Sequence, residues 1–279
     1  MTFFAPASIT AFFSPYYSKD LLKTGSLGVG ITLEKGVRAK INPDSNKVKV
    51  NAKDFRFNTM DLLLERLSFN KGLEIEAEIP IGCGFGFSGA SCLASAFEVN
   101  ENEKLGKGYF ELADLVHECE VLSSTGLGDV VCQVHGGVVL RKEAGAPSIA
   151  EVERFNFSQE LSFLVLGPIS TKEVLRDDEV IEKIRRHGKE ATDKFSKEPT
   201  LTQLFKLSKE FAIKTGLLDE EIGEIISNIE KKGYFASMVM LGRAIFSTCP
   251  QGLLQEYGEA FSSRISKTGV YKVKIKKYN

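Results

Sequence analysis

Residues 80–91 read PIGCGFGFSGAS and follow directly on the alternating run LEIEAEI at 73–79. Leu73, Ile75, Ala77 and Ile79 share one face and the glutamates the other, the pattern of a half-buried strand. Beyond the loop, Ala90, Leu93, Ala94 and Phe97 recur at i, i+3, i+4 and i+7, one apolar helical stripe. A strand, a glycine-dense loop and a helix in direct succession let the backbone come close to a ligand, most often a phosphate.

Three phosphate loops compete for this string. Gly84, Gly86 and Gly89 fit G-x-G-x-x-G, but a dinucleotide-binding unit needs a second buried strand soon afterwards. Residues 98–111, EVNENEKLGKGYFE, are too polar to supply it. GFGFSGAS at 84–91 fits the Walker A pattern at both glycines and at Ser91, but Ala90 stands where its lysine must neutralise the β- and γ-phosphates. The third kind needs no lysine. Backbone N–H groups at a helix N-terminus, with the helix dipole behind them, hold phosphate, and Ser88 adds a hydroxyl for a phosphate oxygen or Mg²⁺. A glycine-rich turn with no ligand is the plain alternative.

The remaining sequence sets the frame. With 279 residues, 43% of them apolar, and a formal net charge of −1, the chain can bury a core and carries no electrostatic footprint for nucleic acid. Five cysteines without CxxC spacing suit reduced thiols in a cytoplasm, and three scattered histidines suggest no metal cluster. No apolar run reaches membrane-spanning length, and MTFFAPASITAFF reads as a first strand. Strands are expected in VRAKI and KVKV around the turn NPDSN, in GGVVLRK (136–142) and in LSFLVLG (161–167). Helices are expected at 59–67, at about 108–122, and after the capping pairs Ser170–Glu173, ending at RRHG, and Thr200–Gln203. Ile222, Ile225, Ile226 and Ile229 stripe another. The closing VYKVKIKKY alternates, with Lys272, Lys274 and Lys276 outward to protect a sheet edge. The layout is α+β, with halves at 1–150 and 151–279.

The spacing P-x-G-x-G-x-G-x-S-x-A, met by Pro80, Gly82, Gly84, Gly86, Ser88 and Ala90, resembles the central motif of the GHMP kinases. Taken with SPYYSKD…TGSLGVGITLEKGV, STGLGDVV…GGVVLRKEAG and ASMVMLGRAIFS, the chain is similar nearly throughout to the archaeal pantoate-kinase branch of that family. The resemblance implies the GHMP kinase fold, two closely packed halves with the ATP and substrate cleft between them. It also implies a cytoplasmic homodimer that phosphorylates pantoate with ATP and Mg²⁺. Another GHMP small-molecule kinase, for homoserine, shikimate or a mevalonate-like alcohol, or a non-catalytic nucleotide-binding protein on the same fold, remain open.

The resemblance also distributes roles. Gly82, Gly84, Gly86, Phe87, Ser88, Gly89 and Ala90 would bind the nucleotide. Asp129, closing the small-residue turn STGLGD, would take or orient the hydroxyl proton; a helix N-cap aspartate is its ordinary alternative. Glu120, with Glu118 as its competitor, and Ser88 would hold Mg²⁺. Ser14, His117 and Arg141 would contact the substrate, Arg141 through its affinity for a carboxylate, although His117 also suits local capping and Arg141 the surface. The third family motif is a glycine-rich loop near the C-terminus, and GYFASMVMLGRAIF stands in its place without a glycine run.

Overall fold

The computed structural model describes residues 2–168 and 178–273. Strand β1 (Thr2–Tyr16) pairs antiparallel with the long β2 (Gly25–Asn42), which also pairs with β5 (Gly72–Ala77) and β6 (Val138–Arg141). Strands β3 (Val48–Val50) and β4 (Lys53–Asp54) extend this sheet beyond β5, β7 (Val152–Phe155) pairs with β6, and β12 (Tyr271–Val273) adds outside β1. A second, antiparallel sheet has the order β11 (Glu259–Arg264), β8 (Glu160–Gly167), β10 (Arg243–Ser247), β9 (Ala236–Met238). The helices are α1 (Asn58–Arg66), α2 (Phe87–Asn102), α3 (Tyr109–Ser123), α4 (Asp129–His135), α5 (Asp178–Lys197), α6 (Leu201–Thr215), α7 (Glu220–Lys231) and α8 (Gln251–Leu254). The class is α+β, as the sequence pattern implies. No helix among the described residues is long and apolar enough to cross a membrane.

Several local expectations are refined. KVKV does not fold back on VRAKI. β5 lies between them, because Leu73 presents its apolar side to both Ile41 of β2 and, in parallel register, Val48 of β3. Helix α2 has no solvated face over Gly89–Val99, because its alanines, serines and glycine let β1, β2, α3 and α4 close around it. Helix α4 forms from DVVCQVH despite the poor helix propensity of valine, since Val130 through Val134 are all buried and packing outweighs propensity. Thr200 caps α6 through Gln203 N–H at 3.1 Å, and the four isoleucines of α7 are buried as a stripe. Lys272 does stand on the edge strand, where it pairs with Glu101 and lies 6.0 Å over the Phe3 ring. The Ser170–Glu173 pair, Lys274 and Lys276 lie outside the described residues.

Helix α5 does not end at RRHG; it runs through Gly188 to Lys197. Gly188 is there for contact. A Cβ on it would stand 1.9 Å from the Phe13 carbonyl oxygen of β1. Exchanging an interior helical glycine for alanine ordinarily stabilises by about 0.5–1 kcal/mol. Here overpacking against immovable backbone reverses the sign, and Gly188→Ala is expected to lower stability by about 1–3 kcal/mol in a denaturant titration.

Candidate active site

The glycine loop is seated on the second sheet. Phe85 is buried with its ring 5.5 Å from Phe163 and 5.4 Å from Phe261, while its carbonyl accepts Ser8 N–H. Phe87 packs instead against Phe55 and Phe57. Leading up to and between these anchors, Gly82, Gly84 and Gly86 are left-handed, at φ +76°, +83° and +63°. Left-handed residues at alternate positions are how backbone amides form an anion-binding concavity. Gly86 is the N-cap of α2 and no side chain caps that turn, so the first amides of a 16-residue helix remain for a ligand. A Cβ on Gly86 would stand 2.5 Å from Ser8 Oγ and 2.6 Å from Gln133 Nε2. Gly89 is close against Gln133, and Ala90 is fully buried.

Ser88, one residue inside α2, points its hydroxyl at Glu120. Glu120 Oε1 accepts from Ser88 and, at 2.9 Å, from Thr125, while Thr59 of α1 joins both hydroxyls. Glu120 is buried, and burial pushes its carboxyl up to about 7, with the hydroxyls opposing and the charge of Asp129 adding to the rise. Glu118 points elsewhere and pairs with Arg66 on the surface, so only Glu120 reaches the glycine loop.

Asp129 is the first residue of α4, with Gly128 as the cap. Its Oδ1 accepts from Ser8 Oγ at 2.8 Å; Gln133 Nε2 donates to Ser8 Oγ at 3.1 Å and to the Gly86 carbonyl at 2.8 Å. The carboxylate is thereby tied to the conformation of the glycine loop. Burial raises its pKa, and the Ser8 hydroxyl and the Arg141 charge oppose the rise. Gly126 lets both carboxylates come close, since a Cβ there would stand 2.5 Å from Glu120 Oε2 and 3.5 Å from Asp129 Oδ2. Two carboxylates beside one glycine, with the Ser88 hydroxyl on one of them, are the hard oxygen donors that Mg²⁺ takes. Among the described residues no three or more acidic, His or Cys side chains converge as a closed metal cage. Magnesium in phosphoryl-transfer sites uses one or two carboxylates and completes its shell with phosphate and water, so the donor set fits.

Two cavities meet at this carboxylate. One, of about 340 Å³, lies over the glycine loop and is walled by Phe55, Phe57, Phe87, Ser88 and Glu120. The other, of about 570 Å³, is lined by Phe13, Tyr17, Ser18, Leu21, Thr24 and Ser26 beside the 124–129 turn. Thr10, Ser124, Thr125, Asp129 and Leu241 line both.

The three residues expected at the substrate lie behind that second cavity instead. Ser14 is buried and donates to the Arg185 carbonyl at 2.9 Å. His117 is buried and donates from Nε2 to the Thr24 carbonyl at 2.8 Å, and burial lowers its pKa, favouring the neutral ring. Arg141 is 1% exposed; its Nε donates to the Ser26 carbonyl at 3.0 Å and Nη1 reaches Cys132 Sγ at 2.8 Å. Its Nη2 is buried with no partner among the described residues. Gly128 gives it room, since a Cβ there would stand 2.8 Å from Arg141 Cζ. Ser8, Thr10, Thr59 and Gln133 belong to the site and carry no motif-level signal in the sequence, whereas Thr125 lies within the STGLGD turn.

The family model described as GHMP kinases N terminal domain matches residues 54–137. A curated pantoate kinase of Methanocaldococcus jannaschii is 34% identical over 258 residues, covering 91% of this chain and 94% of that protein. A second, of Thermococcus kodakarensis, is 34% identical over 260 residues, covering 88% and 86%. A solved structure described as a phosphotransferase related to the CoA biosynthesis pathway superposes with a TM-score of 0.84 at 29% identity, over 97% of this chain and 98% of that one. A solved mevalonate kinase superposes with a TM-score of 0.65 at 13% identity over 95% and 99%, a likeness of fold alone.

Proposed function

This chain belongs to the pantoate kinases of the GHMP kinase family, and from that premise we propose that its cleft transfers the γ-phosphoryl group of ATP to the terminal hydroxyl of (R)-pantoate, giving 4-phosphopantoate for coenzyme A biosynthesis. The observation that carries the reading is the meeting of the two cavities at Asp129, one floored by a glycine loop and the other lined by hydroxyl and apolar groups.

The glycine loop and the first amides of α2 receive the phosphates, with the helix dipole behind them. Phe55, Phe57 and Phe87 wall the adjoining space and suit the flat base of the nucleotide. Glu120 and Ser88 hold Mg²⁺, which when bound supplies positive charge to the phosphate oxygens. Asp129 orients the substrate hydroxyl and takes its proton. The hydroxyl oxygen bonds to the γ-phosphorus, the bond from that phosphorus to the bridging oxygen breaks, and ADP leaves with the electron pair. An aspartate whose pKa burial raises is a stronger proton acceptor than an exposed one, while the Ser8 hydroxyl and the Arg141 charge oppose that rise.

No lysine or arginine lines the substrate cavity among the described residues. Arg141 is the buried cation under its floor, behind Ser26 and Gly128, with one guanidinium nitrogen unpartnered. In this reading its charge favours an anionic substrate from beneath, and His117 and Ser14 hold the wall rather than the ligand.

The test is ADP release by the purified protein with ATP and Mg²⁺ across pantoate, homoserine, shikimate and mevalonate. Turnover is expected with pantoate, with kcat/KM at least about tenfold above the others. Preference for another alcohol would move the chain to a different kinase specificity, and nucleotide binding without turnover on any of them would make it a non-catalytic relative.

A further inference from the structure

The segment MVMLGR contains a backbone anomaly. Strands β9 and β10 are joined across residues 239–242, and Gly242 N–H donates back to the Val239 carbonyl at 3.2 Å. Met240 and Leu241 are therefore the central residues of a β-turn, and Leu241 stands at φ +62°. That position in such a turn ordinarily takes glycine or asparagine, because a side chain there is strained. Here the glycine comes one residue later, where close approach requires it, since a Cβ on Gly242 would stand 2.1 Å from the Cys83 carbonyl oxygen. The turn tip is thus pressed backbone to backbone on the glycine loop, and Met240 N–H donates to the Thr10 carbonyl of β1 at 3.1 Å. The chain holds a leucine in a conformation suited to glycine, on a support fixed from two sides. Strain of this kind persists at functional sites, where the surrounding structure over-determines it.

Its place says what the side chain does. Thr10, Ser124, Thr125, Asp129 and Leu241 line both cavities, and Leu241 alone of these is apolar. It therefore stands where the accepting hydroxyl must come up to the glycine loop. On the substrate side Phe13 and Leu21 supply further apolar wall. We propose that Leu241 is a specificity-determining residue, the apolar contact that selects an alcohol whose hydroxyl-bearing carbon is attached to a branched, fully substituted carbon. The inference rests on the pantoate reading above, since pantoate carries two methyl groups on the carbon next to the accepting CH₂OH. An unbranched hydroxy acid leaves that contact empty.

The experiment compares pantoate with 2,4-dihydroxybutyrate, which is pantoate without its two methyl groups, in wild type, Leu241→Gly and Leu241→Asn. Both replacements tolerate the left-handed conformation, so relief of strain offsets part of the packing that Leu241 loses against the core and both are expected to fold; if one fails to fold, the other gives the same comparison. Wild type is expected to favour pantoate in kcat/KM, and in both variants the ratio of the two kcat/KM values should fall about tenfold or more. An unchanged ratio in a folded variant would overturn the role of Leu241 while leaving the pantoate reading standing. Wild type that turns over neither acid would overturn the pantoate reading itself, and the inference with it.

Discussion

Asp129→Asn leaves the fold and nucleotide affinity in place and lowers kcat with pantoate by about 10²–10⁴-fold. The amide matches the carboxylate in shape, and its oxygen can still accept the Ser8 hydroxyl that now reaches Oδ1 at 2.8 Å. The Ser8–Gln133–Gly86 connection therefore survives, and with it the glycine loop. What disappears is the proton acceptor at the junction of the two cavities. Steady-state kinetics together with calorimetric titration of ATP separate the two effects. A variant that turns over near the wild-type rate would remove Asp129 from the chemistry, and one that loses ATP binding as well would make it a structural residue of the loop.

The second large effect is expected at Glu120. In the metal-free protein its carboxyl has a pKa pushed up to about 7 by burial, with the neighbouring Asp129 adding to the rise. A ligand to Mg²⁺ must be ionised, so Mg²⁺-dependent nucleotide affinity should fall as pH drops through about 7. The stability of the metal-free protein runs the other way. A carboxyl whose folded pKa is raised binds its proton more tightly in the folded state. Its contribution is complete below the unfolded value and is lost as pH climbs from about 4.5 to about 7. The range corresponds to roughly 3 kcal/mol. Glu120→Gln should flatten that slope and, at pH 8, reduce kcat/KM about 10²-fold or more, the scale of removing one group that supports developing charge. Denaturant titrations and kinetics at pH 5, 6, 7 and 8 measure both. A glutamine variant that keeps the wild-type slope and metal dependence would place the metal elsewhere.

The parts of this site that were legible in the sequence are those whose chemistry is local. A strand, a glycine loop and a helix follow one another without interruption, so the phosphate cradle and Ser88 can be read at 73–97. Asp129 is legible because the turn before it is built of small residues. The side chains facing the substrate were not legible, because their direction is set by pairing. On β1, Ser8 and Thr10 share the site face by simple alternation. The register then shifts between Thr10 and Phe12, and beyond that irregularity Phe13 faces the cavity while Ser14 turns toward α5. Counting by twos through a bulge puts Ser14 on the wrong side. Arg141 is a similar case. The sequence allows it to reach a ligand or the surface, whereas β6 lies beside Gly28 and Gly30 of β2, and Gly128 leaves space above the guanidinium. Gly30 and Gly128 open a buried berth for it, since a Cβ would stand 3.1 Å from Arg141 Nη1 at the first and 2.8 Å from Cζ at the second, and that berth becomes visible only once the strands are paired. Phe85 and Phe87, adjacent in the motif to the phosphate glycines, prove to be anchors of the loop to opposite sides, one on the second sheet and one on Phe55 and Phe57.

The central claim is that Asp129 activates a pantoate hydroxyl against ATP held by the glycine loop. Its most direct test follows the γ-phosphoryl group itself, with γ-³²P-labelled ATP, Mg²⁺ and pantoate incubated with wild type and Asp129→Asn and the products separated by anion exchange. Label is expected in 4-phosphopantoate with wild type and almost none with the variant. Label released as inorganic phosphate, or equal transfer by both proteins, would contradict the claim.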